Sequence, residues 1–184
     1  NEELPSFRLN GLKMASKVFS AGRTGPYAVD LVIASGAVVT AVTYTVAGDM
    51  DEVFFIDFVD FEWCLRCGGR GVPINVVPDA VLPHSIGERT VDMGIMRGPV
   101  HGVARSYYKI RNCFLLFRKP DVPLPYAASM LFSGVVRYVL MLPFLEGRVA
   151  YMRTFARAIG HGLVGVVGRD PAMAGRSGVP GRVG

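Results

Sequence analysis

The chain has 184 residues, 51% hydrophobic and only 19% charged, with a net charge of +5. That length suffices for one domain with a substantial core. No uninterrupted run of about 18 apolar residues and no basic-then-apolar leader occurs, so composition predicts neither a transmembrane helix nor a signal peptide.

In chain order, residues 1–28 are mixed and carry loop signals at Gly22, Gly25 and Pro26. A strand is expected over Val29–Ile33, then a turn at Ser35-Gly36, then a second strand or a short helix to Val46. Gly48–Glu52 is a polar turn, and Phe54–Ile56 reads as a short strand that delivers Asp57 to a helix over Val59–Cys67. Phe61, Cys64 and Leu65 share one face of that helix, and Gly68-Gly69 should end it. Ile74–Val77 reads as a buried strand and residues 85–104 as loop. Arg105–Lys119 has the pattern of an amphipathic helix, broken by Pro120, Pro123 and Pro125. Two or three apolar, arginine-dotted helices follow to Gly168, and Arg169–Gly184 reads as a disordered tail. Strands alternating with helices predict an α/β or α+β unit.

Cys64, Cys67 and Cys113 are odd in number and lack a secretion signal, which suits reduced thiols in a cytosolic setting. Cys64 and Cys67 form a lone C-x-x-C inside the predicted helix, where a structural role is expected over zinc or redox chemistry. The basic residues of the last third are interleaved with apolar ones, a pattern suited to an anionic lipid surface, and no nucleic-acid motif is present.

The most informative stretch is FFIDFVDFEWCLR, residues 54–66. Asp57, Asp60 and Glu62 stand there among Phe, Ile, Val and Trp. Carboxylates in such company must be paired, bound to metal or lining a cleft, because a buried unpaired charge costs about several kcal/mol. Glu62 can pair with Arg66 at i+4 or face a ligand, and Trp63 can stack on a sugar or fill the core. Asp60 can act as a general base or as a helix cap.

This stretch, with LVIASGAVV, AGDMDEVFFID, PHSIGE and YYKIRN in the same order, resembles the C-terminal half of inverting family 2 glycosyltransferases of the rhamnosyl- and galactofuranosyltransferase type. The likeness covers roughly Val29–Lys119. It implies the acceptor side of a partial GT-A fold over 1–119, a hydrophobic and basic helical region over 120–168 suited to membrane association, and a disordered tail over 169–184. It also implies that the nucleotide-binding half, with its D-x-D metal motif, lies upstream of Asn1, where the chain opens as though inside a longer protein. Asp49-Met50-Asp51 spells D-x-D but falls at the turn before the acidic segment rather than at the metal motif.

The resemblance implies a general-base role for Asp60 and contacts to the acceptor from Ser35, Gly36, Asp57, Glu62 and Trp63. Asp57 departs from the pattern, since the first position of the usual acidic pair is Val59 here. It implies His84 as a ligand to a divalent Mg²⁺ or Mn²⁺ whose main ligands lie upstream, and contact with the donor diphosphate from an arginine such as Arg89 or Arg111. Arg97, Arg105 and the Tyr107, Tyr108, Asn112 group are weighed beside these. The implied partners are a nucleotide-sugar, a glycan or lipid-linked acceptor, and the inner face of the cell membrane. A half-fold with no donor site, serving as a truncated fragment or membrane-bound scaffold, is the alternative reading.

Overall fold

The computed structural model describes residues 6–20, 22–82, 89–92, 97–145 and 147–174. It is a mixed α/β structure in which small antiparallel sheets flank a helical body. β1 (Ser6–Leu9) lies between β2 (Ala15–Val18) and β4 (Leu31–Val32), and β3 (Tyr27–Val29) pairs with β5 (Ile74–Val76). The expected strand near Val29 is therefore two short strands. The segment beyond the Ser35-Gly36 turn takes the helical option as α1 (Ala41–Ala47). Its Thr40 cap accepts a hydrogen bond from the Thr43 N–H.

Two expectations fail. Phe54–Ile56 is not a strand: Glu52–Phe54 forms a 3₁₀ turn, and Phe55 sits at φ 62°. The loop expected over 85–104 contains a hairpin, β6 (Arg89–Asp92) with β7 (Arg97–Val100). Its glycines and proline masked the strand signal, although a proline is tolerated on a two-stranded ribbon where every strand is an edge.

The helices follow the predicted periodicity. α2 (Val59–Gly69) presents Cys64 and Leu65, with Phe61 beside them, to a core of Leu31, Phe54, Leu115, Leu116, Val122 and Tyr126. It runs through Gly68 and Gly69, and the turn falls at Gly71 (φ 74°). α3 (Val103–Leu116) is the central element, since both α4 (Leu124–Met141) and α5 (Arg148–Val164) pack on it. Ala104, Tyr107, Tyr108 and Ile110 of α3 meet Tyr138 of α4, Ala158 of α5 and Met173 in a second core. The helical region expected beyond 119 thus shares cores with the segment before it.

Part of the expected tail is also built in. Asp170 is buried, pairs with Arg157, and caps the short 3₁₀ turn Pro171–Met173 through the Ala172 N–H. Residues 175–184 lie outside the described residues.

α4 corrects a further expectation. Arg137 and Pro143 interrupt the apolar run in sequence, yet Leu124–Phe144 forms a helical stretch long and apolar enough, by length and composition, to cross a membrane. Only 17% of its apolar window is buried.

Gly162 fixes how closely α3 and α5 approach. A Cβ there would lie 2.6 Å from the Phe114 ring and 2.8 Å from Phe114 Cβ, too close for either helix to stay in place. Gly162→Ala is expected to cost about 1–3 kcal/mol through overpacking. A melting temperature equal to that of the parent chain would show that the helices can part freely.

Candidate functional site

The acidic stretch forms a tight turn that leads into α2. Phe55, Asp57 and Phe58 have φ of 62°, 60° and 67°, so three non-glycine residues of four lie in the left-handed region. Each such residue costs about 1–2 kcal/mol, so the turn needs outside support. Support comes from Arg111 and Asn112, both fully buried on α3. Asn112 Nδ2 donates to the carbonyls of Phe54, Ile56 and Asp57 at 3.0, 2.7 and 3.0 Å. Arg111 Nη2 donates to Phe54 O at 2.9 Å and to Asn112 Oδ1 at 2.7 Å, and Nη1 donates to Gly168 O. The Arg111 guanidinium also lies over the Tyr107 and Tyr108 rings, 5.7 and 5.0 Å from their centroids.

This geometry corrects the expected role of Arg111. A fully buried guanidinium committed to backbone carbonyls is not placed to meet a donor phosphate, and YYKIRN is instead the clasp of the acidic turn. The sequence did hold a signal for this: Arg111 and Asn112 interrupt the apolar face of an otherwise amphipathic helix, where buried polar groups must find partners.

Asp57 points from the turn toward α3. Arg105 grips its carboxylate with Nε–Oδ2 at 3.0 Å and Nη2–Oδ1 at 2.9 Å, and Lys109 Nζ stands 3.8 Å from Oδ1. Arg105, expected among the phosphate-binding candidates, is thus the partner of Asp57.

Asp60 lies in the first turn of α2, two residues beyond the Phe58 cap position, so it is not the N-cap. Its Oδ1 accepts from the Phe61 N–H at 3.0 Å and its Oδ2 from the Ala34 N–H at 3.3 Å. The second bond brings the exposed Ser35-Gly36 turn beside the carboxylate. Gly36 has φ 75°, which suits glycine at this turn. Burial pushes the Asp60 carboxyl above the usual range, the N–H groups of Phe61, Ala34 and Asp60 itself only partly oppose it, and the neighbouring Asp57 adds a smaller upward push.

Glu62 and Trp63 take their structural alternatives. Glu62 is buried and bound bidentately by Arg66, with Nε–Oε1 at 3.1 Å and Nη2–Oε2 at 2.9 Å. Trp63 is buried against Ala47 and Cys67, and its Nε1–H donates to Gly48 O at 2.8 Å.

Of the remaining residues, His84 lies outside the described residues, and so does the side chain of Arg89. Among the described residues no group of three or more His, Cys, Asp or Glu is placed to hold a metal. Asp51 caps the 3₁₀ turn through the Val53 N–H and pairs with Lys119, so the D-x-D tripeptide supports the fold locally. The three cysteines are free and buried, and burial pushes the Cys64 and Cys113 thiols up to about 12, which makes them inert at neutral pH.

Comparison with known proteins places the likeness in one class, the glycosyltransferases. One relative is the dTDP-rhamnosyl transferase RfbF of Shigella flexneri, 34% identical over 163 residues, which are 89% of this chain and 54% of that protein. The chain spans about half the length of that curated relative. No protein-family model matches, and no solved structure matches.

Proposed function

We propose that this chain carries the acceptor side and the catalytic base of a rhamnosyltransferase-like glycosyltransferase of inverting family 2 and GT-A fold. The observation that carries the reading is Asp60. It is a partly buried carboxylate at the mouth of α2, tied through Ala34 to the exposed Ser35-Gly36 turn, with its proton affinity raised by burial. The similarity to a dTDP-rhamnosyl transferase supports a nucleotide-sugar donor and a glycan acceptor.

In this reading an acceptor hydroxyl rests against Ser35-Gly36 and gives its proton to Asp60 as its oxygen attacks the anomeric carbon. The bond to the nucleoside diphosphate breaks on the opposite face, and the configuration inverts. A carboxylate with raised proton affinity suits this transfer better than an ordinary one. Asp57, held by Arg105, positions the turn and adds slightly to the rise that burial imposes on Asp60. A divalent cation, Mg²⁺ or Mn²⁺, would supply charge stabilisation to the leaving diphosphate, with His84 as one ligand. The apolar outer face of α4, with Arg148 and Arg153 on α5, suits peripheral attachment at the inner face of the cell membrane in surface-polysaccharide synthesis.

The test is acceptor-dependent release of nucleoside diphosphate from a dTDP-sugar by the full-length protein, with the product's anomeric configuration read by NMR. Inversion is expected. Retention, or release indifferent to acceptor, would overturn the reading.

A further inference from the structure

The sheet built from β1, β2 and β4 carries an unbalanced charge. Over residues 6–36 the cations are Arg8, Lys13, Lys17 and Arg23, against the carboxylate of Asp30. Asp30 is already engaged, since its Oδ2 accepts from the Leu9 N–H at 2.7 Å. Among the described residues none of these cations forms an ion pair. Lys17 and Arg23 are set among aromatic rings instead. Lys17 Nζ lies 5.0 Å from the centroid of Phe19, which is 57% exposed, and the Arg23 guanidinium lies 4.7 Å from the centroid of Tyr27. Arg23 Nε donates to Phe19 O at 3.2 Å, which holds the guanidinium beside Phe19. Its Nη groups have no hydrogen-bond partner among the described residues.

The sheet places this cluster next to the turn that touches Asp60. β1 is antiparallel to both of its neighbours, so β2 and β4 run in the same direction. Val18 and Val32 are both in register with Ser6, so the two strands leave the sheet at one end, about 10 Å apart across two strand spacings. β2 leaves into Phe19, and β4 leaves into the Ser35-Gly36 turn, where the Ala34 N–H bonds Asp60. Lys13, in the turn between β1 and β2, and Asp30, just before β4, stand at the other end.

We propose that the acceptor is an acidic glycan, and that Phe19, Lys17 and Arg23 hold a carboxylate-bearing sugar of it a short way along the chain from the hydroxyl that meets Asp60. An exposed aromatic face takes the apolar face of a sugar ring, and a cation beside it takes a carboxylate carried on that ring. A neutral glycan would use the ring and leave both cations idle. An acidic glycan fits better than a nucleic acid, because the same end of the sheet delivers the turn beside the proposed base. The inference rests on the transferase reading for where the glycan ends, whereas the binding surface itself belongs to residues 17–27.

The test is calorimetric titration of the full chain with a galacturonic acid hexamer, set against its fully methyl-esterified form and a thymidylate hexamer. The acid is expected to bind at least about tenfold more tightly than the neutral ester, and added salt should narrow that gap. Lys17→Met and Arg23→Met should each weaken the acid about tenfold and leave the ester unchanged. Phe19→Ser should weaken acid and ester alike, and Lys13→Met, at the far end of the sheet, should change neither. These positions are exposed, so melting curves should match the parent's, and if one cation variant fails to fold the other decides. Equal affinity for acid and ester would overturn the acidic assignment. No binding of the acid, or binding indifferent to both cation variants, would overturn the surface. Tighter binding of the thymidylate would overturn the glycan in favour of a nucleic acid. No readout uses turnover, so failure here is distinct from failure of the transferase reading.

Discussion

If Asp60 is the proposed base, Asp60→Asn in the full-length protein is expected to lower turnover by about a hundred- to ten-thousand-fold, the range set by loss of a general base. Nucleotide-sugar binding should be spared, since the Asp60 carboxylate is engaged by the Phe61 and Ala34 N–H groups beside the proposed acceptor turn. In the parent enzyme, the acid limb of turnover against pH should lie above the ordinary aspartate range, because burial raises the Asp60 carboxyl. The stability consequence has a definite sign. A carboxyl whose folded value exceeds its unfolded value favours folding while protonated, and that contribution fades as pH rises through the folded value. At neutral pH the ionised Asp60 is therefore a burden on the fold. The uncharged amide keeps one acceptor oxygen, so Asp60→Asn should melt at the same temperature as the parent or higher. Near-normal turnover would remove Asp60 from the reaction, and a large drop in melting temperature would make it a structural residue.

Asn112→Ala is expected to cost about 3–5 kcal/mol, because one side chain bonds three carbonyls of the turn, the Phe54 bond fully buried, and also anchors Arg111. For a chain of this size that corresponds to a fall of about 10 °C in melting temperature. Asn75→Ala, at an exposed position on β5, should change stability by less than about 0.5 kcal/mol and serves as the control. In the enzyme, Asn112→Ala should also move the acid limb of the pH profile toward ordinary aspartate values, since Asp57 and Asp60 lose their fixed surroundings. Loss of stability with an unmoved pH profile would confine Asn112 to a structural role.

Much of this was legible in the chain. The i, i+3, i+4 apolar spacing of Phe61, Cys64 and Leu65 announced α2, and the pattern from Arg105 onward announced α3, because both helices bury one face. Asp57, Asp60 and Glu62 stood out because carboxylates in apolar company need a reason to be there, and the family resemblance singled out Asp60 among them. What escaped was non-local. Phe54–Ile56 has strand-forming composition, yet α3 grips its carbonyls and bends it into left-handed backbone. Arg111 has the chemistry of a phosphate ligand, and only the fold shows that its hydrogen bonds go to the backbone of residues more than fifty positions away. Glu62 and Trp63 each had two readings, and their neighbours Arg66 and Gly48 selected the structural one.

The clasp on the acidic turn reaches from α3 to the carbonyl of Gly168, close to the end of the described chain. During synthesis, Asp57 and Asp60 leave the ribosome long before Gly168 does. At about 5–20 residues per second, that gap lasts on the order of 5–20 seconds. Through that interval the turn has no complete set of partners for its costly backbone conformation. The nascent chain thus carries its acids early and acquires their geometry late, so a chain ending before Gly168 should expose the same carboxylates in a relaxed and unproductive arrangement.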